Sequence, residues 1–408
     1  MIGKKNEKAK LWSEGRIGLF EKLEKAFSKQ HHHNIIWVHC ASLGEFEQGR
    51  PLIEAIKAKY PASKILLTFF SPSGYEVSKN YVGADWVFYL PMDNPRNAKR
   101  FYSIVNPNIV IFIKYEFWYY YLQEAKQRNI PLILVSGVFR EGQAFFKWYG
   151  SFKREMLLFF THLFVQNQQS FDLLGSTGLT KNVTLSGDTR FDRVITIAAQ
   201  FKPIPEIEAF LSNAQKIIVA GSTWLEDDNE LYHYAKAHPN FYFIVAPHDI
   251  QQSRIDDCLS IYPNSITFSD WKEEQRRIEE GIQIEKHTYN TLIINNVGML
   301  SRLYAYATIC FVGGGFGNDG VHNVLEAAVY GKPVIFGPEY SKYQEATQLI
   351  QHKGGFSIED VFTLESTMNN LIEDSVFYSK TCKAASNYVN NMAGATKKVM
   401  QWVDKWMN

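Results

Sequence analysis

Short apolar runs rich in Ile, Val and Phe alternate along the whole chain with longer stretches in which apolar residues recur at helical spacing. Continuous apolar runs predict strands buried on both faces, and the helical stretches between them predict parallel sheets covered by helices on each side. The expected class is α/β. In the first half, strands are expected at 35–39, 64–69, 86–89, 109–113, 132–135, 163–165 and 183–185. The pattern restarts at 216–220, continues at 242–246, 291–294, 309–312 and 333–336, and is followed by helical sequence to the end. Two Rossmann-like units result. Between them lies Phe201-Lys-Pro-Ile-Pro-Glu206, whose two prolines remove backbone donors and restrict the residues before them. The expected domains are therefore 1–200 and 201–385. A terminal helix over 386–408 presents Val399, Trp402, Val403 and Trp406 on one face, which needs a partner on the first domain. Two such units facing one another make a cleft, and open α/β sheets bind ligands beyond the carboxyl ends of their strands. Chemistry is to be sought in the strand-to-helix loops.

The 408 residues are too many for one ordinary core, which agrees with two units. A content of 46% hydrophobic and 21% charged residues with a net charge of +1 fits a globular protein and argues against one built mainly to hold nucleic acid. Cys40, Cys258, Cys310 and Cys382 follow no metal-ligand spacing and read as reduced thiols. No apolar run approaches the ~20 residues that span a bilayer, and no signal-peptide pattern opens the chain. His31, His32 and His33 read as solvated linker and receive no role.

The first strand runs into Cys40-Ala-Ser-Leu-Gly-Glu45, which puts Ser42, Gly44 and Glu45 at the cleft edge. Glu45 there is either a carboxylate stabilising a helix N-terminus or a general base, and local sequence favours the first. Thr68-Phe-Phe-Ser-Pro-Ser-Gly74 places Ser71, Ser73 and Gly74 before a helix, as a plain cap or as an anion site. Lys114-Tyr-Glu-Phe-Trp118 brings a second carboxylate, Glu116, among rings that suit either core or sugar binding. In the second half, Ala220-Gly-Ser-Thr-Trp224, with Ser222 and Thr223, precedes the acidic first helical turn Glu226, Asp227 and Asp228. The strongest local signal spans Phe311 to Glu326: a strand, a glycine-rich loop with Gly313 and Gly314, then a helix carrying His322, Asn323 and Glu326. The loop is expected to present N–H groups to a phosphate, and Asn323 and Glu326 to share a face toward a ligand. No G-K-[ST] follows its glycines, which disfavours ATP hydrolysis. The stretch 145–160 mixes aromatics with Lys147, Lys153 and Arg154, as a membrane-surface or a buried amphipathic helix would. Lys4, Lys5, Lys8, Lys10 and Arg16 form a second basic stretch suited to anionic headgroups.

In this order, Trp37-Val-His-Cys-Ala-Ser-Leu-Gly-Glu45, Thr68 to Gly74, Tyr89-Leu-Pro-Met-Asp93, Tyr115-Glu-Phe-Trp118, Ser186-Gly-Asp-Thr-Arg-Phe-Asp192, Gly221-Ser-Thr, Phe311-Val-Gly-Gly and His322-Asn-Val-Leu-Glu-Ala-Ala328 resemble the Kdo transferases. That family adds 3-deoxy-D-manno-octulosonic acid to the lipid A precursor in Gram-negative bacteria. The resemblance covers nearly the whole chain. It implies a GT-B fold, the acceptor on the N-terminal half near Ser42, Gly44, Ser71, Ser73 and Gly74, and CMP-Kdo on the C-terminal half. It further implies inverting transfer to lipid IVA with no catalytic metal and no cofactor, at the cytoplasmic face of the inner membrane. Glu45 matches the family's general base and Glu116 its second cleft carboxylate, which overrides the local preference for a cap. Gly313, Gly314, His322, Asn323 and Glu326 match the donor loop and helix, and Ser222 and Thr223 the turn opposite. Arg190 stands where the family usually has lysine, as a cation for the Kdo carboxylate or a phosphate.

The sequence departs from the family at Pro247-His248-Asp249, where His248 replaces an expected arginine, at Gly298-Met-Leu300, where a glutamate is missing, and at Ser136-Gly-Val-Phe-Arg140. The family's hydrophobic N-terminal anchor has no counterpart here, and the chain begins in the basic stretch that would follow it. The rival readings are a GT-B transferase or epimerase using a UDP-sugar, and a non-catalytic nucleotide-sugar-binding scaffold.

Overall fold

The apolar runs of the first half become seven strands, β1 (Ile35–Cys40), β2 (Lys64–Phe69), β3 (Trp86–Tyr89), β4 (Ile109–Ile113), β5 (Leu132–Gly137), β6 (His162–Val165) and β7 (Val183–Leu185). In this computed structural model the described residues are 7–28, 34–262, 264–283, 287–318 and 320–407, so Lys4, Lys5 and His31 to His33 lie outside them. The seven strands form one parallel sheet in the order β3-β2-β1-β4-β5-β6-β7. Every residue of β1 and β4 is buried, which is why their sequences read as apolar runs, broken only by His39 in β1.

The second half forms another seven-stranded parallel sheet from β8 (Ile217–Thr223), β9 (Tyr242–Pro247), β10 (Ser265–Thr267), β11 (Thr291–Ile293), β12 (Ile309–Val312), β13 (Val334–Phe336) and β14 (Gly355–Ser357), ordered β10-β11-β9-β8-β12-β13-β14. The edge strands β10 and β14 are missing from the sequence expectation, and β14 interrupts what reads as helix to the end. Each has three residues, Ser-Ile-Thr and Gly-Phe-Ser, so no apolar run marks it. Pairing to one neighbour supplies what local propensity does not.

The chain divides into a unit of Met1–Arg193 with Met392–Asn408 and a unit of Val194–Asn391. The division falls inside the helix Thr189–Ala199, ahead of the proline pair. Pro205 instead starts the helix Pro205–Phe210 within the second unit, where its missing N–H costs nothing. The last helix, Ala395–Met407, belongs to the first unit. Val399, Met400 and Val403 are buried among Ile36, Val38, Ile53 and Ile56. Trp402 packs at the border, while Trp406, expected on the same face, is 47% exposed. Lys59 and Tyr60 reach Asp404 at 2.6 and 2.7 Å, and Asp192 accepts the N–H groups of Gly394 and Thr396 at 2.6 and 2.7 Å, capping the returning chain.

Two expectations about charged segments change. The stretch 145–160 is not one helix: a 3-10 turn, Ala144–Phe146, is followed by a break and the short helix Ser151–Leu157. Gly150 sits at the break, where an added Cβ would fall on the Ala144 carbonyl. Lys8 and Lys10 are exposed on the helix Glu7–Glu14, but Arg16 turns inward and bonds the carbonyls of Trp12, Phe70 and Leu90. It is thereby withdrawn from any headgroup. All four cysteines are free.

Candidate active site

In the first unit the expected residues gather at the carboxyl ends of the adjacent strands β2, β1 and β4. Ser42 caps the helix Leu43–Lys59 by its backbone, with no side-chain bond to it. Glu45, in the first turn, folds back so that its carboxylate accepts the Ala41 N–H. The residue is buried, with 6% exposure. Burial pushes its carboxyl up to about 7, the negative charge of Glu116 adds to the rise, and the N–H groups of Ala41 and Ser42 and the charge of Lys114 oppose it. Glu45 is thus a helix-start acceptor and a carboxylate poised near neutral pH at once.

Glu116 follows β4 after Lys114, which sits at φ 72°. Trp118 Nε1 donates to Glu116 Oε2 at 2.5 Å, and His39 Nε2, at the end of β1, lies 3.6 Å from the same oxygen. The imidazole orientation is set from behind. Trp37 Nε1 donates to Thr68 Oγ1 at 2.8 Å, and the Thr68 hydroxyl shares a hydrogen bond with His39 Nδ1 at 2.9 Å. Sequence reasoning missed His39 and Thr68; the signal available was a pair of polar residues in otherwise apolar strands. A hollow of about 390 Å³ opens beside Glu116, lined by Tyr115, Phe117, Trp118, Phe145 and Lys153 among others.

The β2 loop is more ordinary. Ser71 Oγ accepts the Ser73 N–H at 3.3 Å and lies 2.9 Å from Ser73 Oγ, as a cap of the helix Pro72–Ser78. Gly74 is buried, and a Cβ there would run into the Phe69 ring and sit 3.1 Å from the Ser42 backbone, so it serves close packing. Gly44 has open space around it. Arg190, near the start of Thr189–Ala199, bonds the Asp188 carboxylate through Nε at 2.8 Å.

In the second unit β8 continues past the expected end at Ala220 and carries Ser222 and Thr223, with a register shift between Gly221 and Thr223 and Ser222 at φ 55°. The glycines after β12 answer that kink. A Cβ on Gly313 would sit 2.7 Å from Thr223 Cα and 2.8 Å from Asp227 Oδ2, and Gly314 adopts φ 90°. Their N–H groups are already used: Gly313 donates to the Gly221 carbonyl at 2.9 Å and Gly314 to Asp227 Oδ2 at 2.9 Å. The glycines bring two loops together instead of turning these two amides toward a phosphate, as the sequence suggested.

Asp227 also accepts the Trp224 N–H at 2.8 Å, and burial pushes its carboxyl up to about 6 against those two bonds. Beyond it, His248 stacks on Trp224 at 4.6 Å between centroids and on His322 at 4.5 Å, while Trp224 Nε1 approaches His322 Nε2 at 3.2 Å. His322 and Asn323 precede a helix shorter than expected, Leu325–Ala328, and Asn323 Nδ2 donates to Glu326 Oε1 at 3.0 Å. Three strand ends thus bring His248, His322 and Trp224 together. Among the described residues no three His, Cys, Asp or Glu side chains gather as metal ligands.

The profile of the family described as 3-Deoxy-D-manno-octulosonic-acid transferase (kdotransferase) matches residues 13–193, which hold Glu45 and Glu116. The 3-deoxy-D-manno-octulosonic acid transferase of Aquifex aeolicus is 27% identical over 365 residues, covering 86% of this chain and 91% of its own. Over residues 13–193 the chain is similar to the Kdo transferase family, and it resembles the Aquifex aeolicus enzyme along most of its length. A bifunctional glycosyltransferase/methyltransferase of Fusobacterium nucleatum is 26% identical over 388 residues, 90% of this chain, and the chain spans 58% of that relative's length. The UDP-GlcNAc 2-epimerase of Neisseria meningitidis, solved bound to UDP-GlcNAc, superposes with a TM-score of 0.59 at 14% identity over 91% of this chain and all of its own. That likeness concerns the fold, and both sheets are those of a GT-B protein.

Proposed function

We propose that the chain moves Kdo from CMP-Kdo to the lipid A precursor lipid IVA with inversion at the anomeric carbon, using Glu45 as general base and no catalytic metal. The observation that carries this reading is Glu45 itself, a buried carboxyl at the end of β1 raised to about 7 beside a second carboxylate. An acceptor hydroxyl has a pKa far above neutral and needs a base as it attacks. Its oxygen bonds the anomeric carbon from the face opposite the nucleotide, the bond from that carbon to the CMP phosphate breaks, and the hydroxyl proton passes to Glu45.

The His248, Trp224 and His322 stack, with Asn323 and Glu326 beside it, is the donor side of this reading. Asn323→Ala or Glu326→Ala is expected to weaken CMP-Kdo binding about tenfold to a hundredfold, since each removes a polar contact to the donor worth roughly 1–3 kcal/mol. Calorimetric titration with CMP-Kdo checks this, and unchanged affinity in both variants would move the donor elsewhere. The lipid side is supported by Trp148, Tyr149 and Phe152, which are 91%, 60% and 53% exposed beside Lys147 and Lys153, as suits peripheral attachment to the cytoplasmic face of the inner membrane. No helix among the described residues is long and apolar enough to cross a membrane.

The deciding experiment is the product mass from purified protein, CMP-Kdo and lipid IVA. A gain of one or more Kdo residues supports the proposal. Turnover of a UDP-sugar with none of CMP-Kdo would replace it.

A further inference from the structure

Arg16 lies in the turn between the helices Glu7–Glu14 and Leu19–Phe27 and is held on every side. Its guanidinium donates to three carbonyls, Phe70 at 2.9 Å, Leu90 at 3.2 Å and Trp12 at 2.9 Å. It also stands over three rings, 4.3 Å from Trp12, 4.9 Å from Phe70 and 4.9 Å from Tyr89. Gly15 lets this turn seat on the Tyr89 ring, into which any Cβ there would run. Burial lowers the guanidinium to about 10, so it stays charged at neutral pH.

The carbonyls it holds decide its meaning. Phe70 and Leu90 are the residues directly after β2 and β3, and Leu90 N–H donates to the Phe69 carbonyl at 2.7 Å, so Arg16 crosslinks two strand ends where the chain leaves the sheet. Phe70 precedes Ser71, the cap of Pro72–Ser78, and Ser71 N–H donates to the Ala41 carbonyl at 2.7 Å beside the bond from Ala41 to Glu45. The Phe70 ring packs on Trp118 at 4.7 Å, and Trp118 donates to Glu116. A short path of direct contacts therefore joins the N-terminal turn to both carboxylates.

We propose that Arg16 is a positioning residue for the acceptor side of the site, fixing the loop 70–73 and, through the Phe70 ring, the Trp118 indole that orients Glu116. Arginine is required because one planar fork meets separate carbonyls while its faces lie against rings, which a lysine ammonium does not reproduce. The role as a step in acceptor binding rests on the reading above; the ordering of the loop does not.

Two measurements on the full chain keep these apart. In hydrogen exchange, Arg16→Met is expected to speed exchange of the amides of 71–75 and 116–120, with the helix Pro95–Val105 unchanged. In steady state with CMP-Kdo and lipid IVA, Arg16→Met should raise acceptor KM roughly tenfold to a hundredfold, as a misplaced binding edge does, with donor KM within about twofold. Arg16→Lys should fall between, and Phe70→Leu, which keeps an apolar side chain but removes the ring, should share the acceptor defect. If Arg16→Met fails to fold, Arg16→Lys and Phe70→Leu give the same reading. A lowered melting temperature with wild-type acceptor KM and unchanged exchange at 71–75 would overturn the proposal and leave Arg16 a fold contact only. Wild-type protein that transfers no Kdo would overturn the functional reading, while exchange still decides whether Arg16 orders the loop.

Discussion

Glu45→Gln is expected to lower turnover at saturating substrates by roughly 10²–10⁴-fold while donor affinity stays within a factor of two. Glutamine keeps the volume and an oxygen that can still accept the Ala41 N–H, so the start of the helix Leu43–Lys59 survives, but it cannot take a proton. A residue acting only as a cap would behave in the opposite way, keeping its activity and losing a few tenths to about 1 kcal/mol of stability. The sign of the pH effect separates the two further. A carboxyl whose folded-state pKa lies above its unfolded value costs stability once pH exceeds the unfolded value, and the cost is complete above the folded one. For Glu45 that window runs from the ordinary glutamate range up to about 7. Glu45→Gln should therefore melt at the same temperature as the parent or slightly higher at pH 8, which a lost cap alone does not produce.

The same carboxyl predicts the shape of the rate profile. Activity should rise with pH through a limb near 7 as Glu45 ionises, and Glu116→Gln, which removes the neighbouring negative charge, should move that limb to lower pH. Rates from pH 5 to 9 for both proteins test this. A limb that stays in place in Glu116→Gln would mean that burial alone sets Glu45.

What the sequence made legible follows from what is local. Strands buried on both faces have to be mostly apolar, so β1 and β4 announce themselves, whereas β10 and β14 are made by pairing and do not. Glu45 and Glu116 were visible because each follows an apolar strand in a loop. The glycines after β12 were visible too, but their purpose was not, because Gly313 is required by a residue ninety positions earlier, Thr223, whose backbone it approaches. Arg16 read as one more cation in a basic stretch, since nothing within a few residues of it reveals Phe70 or Leu90. Asp227 and Asp228 read as acidic residues starting a helix, and both turn out to be buried and bonded across the unit.

Asp228 gives the largest expected loss of stability. Its carboxylate is fully buried and pairs with Arg254, and the Tyr262 hydroxyl donates to its other oxygen at 2.9 Å. Burial holds the Asp228 carboxyl above the ordinary aspartate range even so, with Arg254, Thr223 and Tyr262 pulling it down. Arg254→Met keeps the apolar stem and removes the charge, leaving a carboxylate in a dry site with only uncharged partners such as Tyr262 and the Cys258 thiol, which costs about 3–5 kcal/mol. The pH dependence again has a fixed sign. A carboxyl raised above its unfolded value loses stability as pH rises, and without Arg254 the rise is larger, so the gap between variant and parent should widen from pH 5 to pH 8. Asp228→Asn added to Arg254→Met should recover much of the loss at pH 8, because no buried charge then remains. Urea unfolding of the three proteins at both pH values measures this. Arg254→Met unfolding with the parent's midpoint at pH 8 would mean that water or another cation reaches Asp228, and that the pair does not carry the turn after β8, whose Thr223 carbonyl Arg254 also approaches at 3.4 Å.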